Sequence, residues 1–115
     1  MHKRNILNLF KNKPKFKVND FVIIKDSPYI CKIVKLGKNT VEVQETFKDF
    51  PIVKLKDCEL YDKKIPNIKL RDYVREKHNF PMIGFVYAYL PGEEIEIYWN
   101  VGLYSTKTLN DIIIL

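Results

Sequence analysis

Lys17-Val18-Asn19-Asp20-Phe21-Val22 and Lys69-Leu70-Arg71-Asp72-Tyr73-Val74 carry one pattern: lysine, apolar residue, variable residue, aspartate, aromatic residue, valine. They stand 52 positions apart. Working outward, Pro28-Tyr29-Ile30-Cys31-Lys32-Ile33 meets Pro81-Met82-Ile83-Gly84-Phe85-Val86 at an offset of 53. Val41-Glu42-Val43 meets Ile95-Glu96-Ile97, and Leu55-Lys56-Asp57-Cys58 meets Leu109-Asn110-Asp111-Ile112, both at 54. Blocks in the same order with so small a drift read as an internal repeat of about 50 residues.

The periodicity inside each copy is that of strands. Val41-Glu42-Val43-Gln44 and Ile95-Glu96-Ile97-Tyr98 alternate apolar with polar residues, each after a turn signal, Gly37-Lys38-Asn39-Thr40 or Pro91-Gly92-Glu93-Glu94. Asp20 and Asp72 are placed to accept amide protons in the turn that opens each copy. Four or five short strands in so short a copy bury a core by curling into a small barrel. The alternation predicts Val22, Val43, Val74 and Ile97 inward at matching places. It would also aim Glu76 inward, so that strand is expected to end or bulge early. One continuous sheet through all the strands, or a helical body, would sink the repeat reading.

This order of parts resembles the SH3-like barrel families of the Tudor, KOW and plant Agenet types, which open on an apolar residue, a Gly-Asp pair and a valine. The resemblance covers residues 16–115. It departs from the pattern where Asn19 and Arg71 stand in place of the glycine and where Cys31 stands opposite Gly84. The fold class it implies is all-β: a basic N-terminal arm (1–15), a first SH3-like barrel (16–66) and a second (67–115). It also implies aromatic side chains at a loop rim, where ring faces can hold a methylated cation.

Candidate rim aromatics are Tyr29, Phe47 and Phe50 in the first copy and Phe80, Tyr87, Tyr89, Tyr98, Trp99 and Tyr104 in the second. Tyr29, Phe47, Phe80, Trp99 and Tyr104 are the expected partner-binding set. The bland alternative is that such rings fill the core or the seam between barrels. For Trp99 alternation from Ile95 and Ile97 favours the inward side, and only a bulge or strand end at Tyr98 would turn the indole outward.

The chain has 115 residues, 20 Lys+Arg against 14 Asp+Glu, and a net charge of +6. The charge sits at one end: Lys3, Arg4, Lys11, Lys13 and Lys15 face no acid in residues 1–15, so the other hundred residues sum to +1. Such an arm can neutralise phosphates, dock on an acidic protein face or remain solvated. Ile6, Leu9 and Phe10 give it an apolar side that a mere solubilising tail does not need, though too little to insert in a membrane. Seventeen lysines to three arginines argue against base-specific readout, which favours the arginine fork. Sequence-tolerant stacking on aromatic rings stays open. The Lys, Ile and Asn usage is also what an A/T-rich coding sequence gives, as in many phages.

Catalysis finds no foothold. His2 lies in the arm, His78 follows Glu76 in a loop, and neither has a nucleophile arranged around it. Cys31 and Cys58, 27 residues apart, read as small buried hydrophobes rather than a metal or disulfide pair. Glu93, Glu94 and Glu96 straddle a turn and do not converge on a cation. No apolar run exceeds the nine residues Met82 to Leu90, short of a membrane span, and the start does not read as a secretory leader. The expectation is a non-catalytic binding or adaptor protein of the cytoplasm, or of a host cytoplasm or virion if phage-derived. It would have no cofactor, metal, membrane or small-molecule substrate, and would dock on nucleic acid or a nucleoprotein assembly. The alternative is a structural or regulatory subunit whose barrels bind only protein.

Overall fold

The computed structural model describes residues 16–78 and 82–115. It is all-β. The strands are β1 (Phe21–Ile24), β2 (Ile30–Leu36), β3 (Thr40–Gln44), β4 (Ile52–Lys54) and β5 (Cys58–Leu60), then β6 (Tyr73–Glu76), β7 (Ile83–Leu90), β8 (Glu94–Trp99), β9 (Tyr104–Thr108) and β10 (Ile112–Ile114). Single 3₁₀ turns at Leu55–Asp57 and Leu109–Asp111 lead into β5 and β10.

All pairings are antiparallel. β1 pairs with β2 and β5, β2 with β3, and β3 with β4. β6 pairs with β7 and β10, β7 with β8, and β8 with β9. One register shift falls between Ile33 and Lys35, another between Val86 and Ala88. The ten strands form one sheet, because β2 meets β7 at the pair Ile30 and Tyr89. That goes against the expectation that no single sheet would run through both copies, and the joint between β2 and β7 is this pair alone, where the two strands satisfy each other's backbone.

The apolar interior nevertheless divides. Val22, Ile24, Cys31, Ile33, Val41 and Val43 form one buried cluster. Ile68, Val74, Val86, Ile95, Ile97, Trp99 and Ile112 form the other. Val22, Val43, Val74 and Ile97 thus all point inward, as alternation requires. Ile30 and Ala88 are buried yet belong to neither cluster, which places them at the seam where β2 meets β7.

The turns that open β1 and β6 are held by aspartate. Asp20 accepts the Lys17 amide proton at 2.9 Å and Asp72 that of Lys69 at 3.0 Å. Asn19 and Arg71 both lie in the left-handed region at φ 79°. Asparagine tolerates this conformation, whereas at Arg71 it costs about 1 kcal/mol or more. The Arg71 guanidinium lies 5.9 Å from the Phe47 ring centroid, a cation–π contact that offsets part of that cost.

The expectation that β6 would end or bulge early is corrected: the strand runs in register through Glu76, its last residue, whose side chain is turned inward and only 6% exposed. Its Oε1 lies 3.3 Å from the Lys107 Nζ on β9, giving the buried carboxylate a charged partner.

Candidate functional site

The outer face of the second strand set is aromatic. Tyr73 on β6 is the direct partner of Phe85 on β7, Phe85 of Tyr98 on β8, and Tyr98 of Tyr104 on β9. These four residues make one rung across four strands, on the side opposite Val74, Val86, Ile97 and Trp99. Ring centroids along the rung are 6.4, 5.7 and 4.8 Å apart, within the range of tilted and edge-to-face contact. Tyr73 is 57% and Tyr104 52% exposed, so both ends of the rung open to solvent.

Two more rings join it. Tyr87 falls inside the bulge of β7 and reaches Tyr104 at 5.0 Å; an extra residue in one strand re-aims its side chain in this way. Phe47 comes from the β3–β4 loop and packs against Phe85 at 4.7 Å and Tyr87 at 5.7 Å. That loop is shaped by buried Thr46, whose hydroxyl donates to Asp49 and accepts from the Lys48 and Asp49 amides. The Phe47 amide donates to the Tyr87 carbonyl at 3.0 Å, pinning the loop to β7. Phe47, Phe85, Tyr98, Tyr104 and Tyr87 thereby close a circuit of five rings.

Tyr29 flanks this circuit at the seam. Its ring meets Tyr87 at 6.3 Å and its hydroxyl donates to Glu96 at 2.9 Å. Burial first, and the bond to Glu96 second, raise its pKa above that of a free phenol. The Ser27 hydroxyl donates to Glu45 at 2.5 Å. Both seam carboxylates are therefore engaged. The Tyr104 hydroxyl is also raised, by desolvation first and then by its neighbour Tyr87, with Lys48 acting in the opposite direction.

Of the expected partner-binding set, Tyr29, Phe47 and Tyr104 come together here. Trp99 does not. It is 1% exposed within the second cluster, with its Nε1 donating to the Ser105 hydroxyl at 2.6 Å, so the reading of Trp99 as a rim residue is corrected to core. β8 continues without a bulge through Trp99, and strand alternation keeps the indole inside. Phe80 and the arm residues Lys3, Arg4, Lys11, Lys13 and Lys15 lie outside the described residues. Among the other rim candidates, Phe50 is exposed in the β3–β4 loop, while Tyr89 packs against the second cluster and donates to the Ile68 carbonyl at 2.7 Å. Tyr73 and Phe85 were not among the rim candidates. Outward alternation from Val74 and Val86 marks them, but only the pairing register aligns them with Tyr98 and Tyr104.

Among the described residues no cluster of three His, Cys, Asp or Glu side chains could hold a metal ion, and no helix is long and apolar enough to cross a membrane. Burial, aided by the Glu45 charge, pushes the Cys31 thiol up to about 12. At pH 8 only about one Cys31 in ten thousand would then be thiolate, the reactive form. Ellman's reagent on the native chain is expected to label half-buried Cys58 first and Cys31 only at the rate of unfolding. Prompt labelling of both would show that Cys31 is accessible. Comparison with protein families, curated proteins and solved structures finds no match for this chain.

Proposed function

We propose that residues 16–66 and 67–115 are two SH3-like barrels in tandem behind a basic arm, and that the chain is a non-catalytic binding protein docking on nucleic acid or a nucleoprotein assembly. The barrel reading is supported by the matching pairings of β1–β5 and β6–β10, the two apolar clusters and the shared φ at Asn19 and Arg71. The functional reading rests on one observation above all: an aromatic surface, open at Tyr73 and Tyr104, with Arg71 against its Phe47 edge. Exposed ring surface beside cations suits a polyanion whose bases have flat faces. The five cations of residues 1–15 would supply the sequence-independent part of the affinity.

If the arm meets phosphates, affinity for nucleic acid falls with a log-log salt slope of about −3 to −5. Replacing Lys3, Arg4, Lys11, Lys13 and Lys15 with glutamine is expected to flatten that slope to about −1 or less. An unchanged slope would remove the arm from the interface. A purely protein-binding subunit is the second reading. It is favoured by exposed Val101 and Leu103, in the turn that precedes Tyr104. Co-purification of a partner that survives nuclease treatment would select it.

A further inference from the structure

We propose that the rung Tyr73, Phe85, Tyr98 and Tyr104 is a stacking platform for the unpaired bases of single-stranded nucleic acid, with Arg71 and Lys48 meeting the phosphates. This rests on the nucleic-acid reading above and assigns it a strand type and a surface.

The rung is not something the fold demands. In the first strand set, Phe21 pairs with Lys32 and Lys32 with Gln44, and these stand at the same offsets of 52, 53 and 54 from Tyr73, Phe85 and Tyr98. A lysine and a glutamine thus occupy the places that Phe85 and Tyr98 take. Cross-strand ring pairs help any sheet, but the first strand set forms without such a row, so strand pairing does not require one that leaves two tyrosines half exposed to water.

Its dimensions suit a short run of bases. Strands lie about 4.8 Å apart, so three steps from β6 to β9 span about 14 Å. Four-stranded aromatic faces take about two or three splayed bases. A duplex offers no free base face, because its bases are already stacked. Two cations border the rung: Arg71 lies over Phe47, and the Lys48 charge acts on the Tyr104 hydroxyl. The seam carboxylates Glu45 and Glu96 accept hydrogen bonds from the Ser27 and Tyr29 hydroxyls. Stacking on the exposed rings of Tyr73 and Tyr104 takes any base, so the platform discriminates little between sequences, in keeping with three arginines in the whole chain.

The test uses the full chain with a fluorescent oligothymidylate of about twenty nucleotides and a duplex of equal length, both at low salt. Tyr73→Ala and Tyr104→Ala are each expected to weaken single-strand binding about tenfold or more, with duplex affinity within about twofold of the parent. Tyr73→Phe and Tyr104→Phe, which keep the ring, should bind as the parent does. Thermal melts of the alanine variants, both at exposed positions, verify that the fold persists. If the parent binds single strands and the alanine variants match it, or lose duplex binding equally, the platform is wrong while the nucleic-acid reading survives on the arm. If the parent binds neither strand form, both fall together. Should an alanine variant melt early, Lys48→Gln decides instead: the platform expects a shallower salt slope for the single strand alone, and no change overturns it.

Discussion

Trp99→Ala is expected to cost about 3–5 kcal/mol of stability, read as a lower denaturant midpoint at unchanged slope. The indole is the largest fully buried side chain, and it sits among Ile95, Ile97, Val86 and Ile112 with the outer aromatic rung on the far side of the same strands. Removing it leaves a cavity that short, paired strands cannot collapse to fill. It also strands the Ser105 hydroxyl, which now accepts the indole proton. Trp99→Phe separates the two losses: most of the packing stays while the donor goes, so about 1–2 kcal/mol is expected. A variant that melts like the parent but loses partner binding would return Trp99 to the surface.

Much of this core could be read from strand alternation. Val22, Val43, Val74 and Ile97 are inward because the period of two leaves them no other side once their immediate neighbours Phe21, Glu42, Tyr73 and Glu96 take the opposite face. The same count carried Trp99 into the core and Glu76 with it. The pairing of Glu76 with Lys107 was not legible, since those residues lie 31 positions apart and meet only when β6 and β9 flank one interior. Nor was the aromatic circuit. Tyr87 enters it through a bulge, a register defect with no clear local signature, and Phe47 through a loop whose shape depends on the Thr46 hydroxyl. Six of the nine rim candidates fall in the second copy, and pairing register turned that bias into a surface. The single link between Ile30 and Tyr89 is likewise a property of how the two strand sets meet, which no pattern within either one encodes.

Gly84→Ala is the other large effect, and its cause lies on the same rung as Trp99. Gly84 is the direct partner of Trp99 across β7 and β8. A Cβ at this position would stand 2.5 Å from the Tyr98 carbonyl oxygen and 2.9 Å from both the Ile97 Cγ2 and the Trp99 Cε3. One of those atoms is backbone held in a ladder and the others are packed core, so the strands must part to admit a methyl group. The expected cost is about 2–3 kcal/mol. The first strand set shows why glycine is needed here and not there: Cys31 stands 53 positions before Gly84, and Glu45 stands 54 positions before Trp99. Only the set that buries an indole leaves out the facing side chain, a large residue matched to an empty place. In a Trp99→Leu background Gly84→Ala should therefore cost less than in the parent, because one of the three contacts has been withdrawn, while the Tyr98 carbonyl keeps it above zero. Chemical denaturation of the four proteins in that cycle measures the coupling. Additive costs would mean that Gly84 answers to the backbone alone and that the match with Trp99 is incidental.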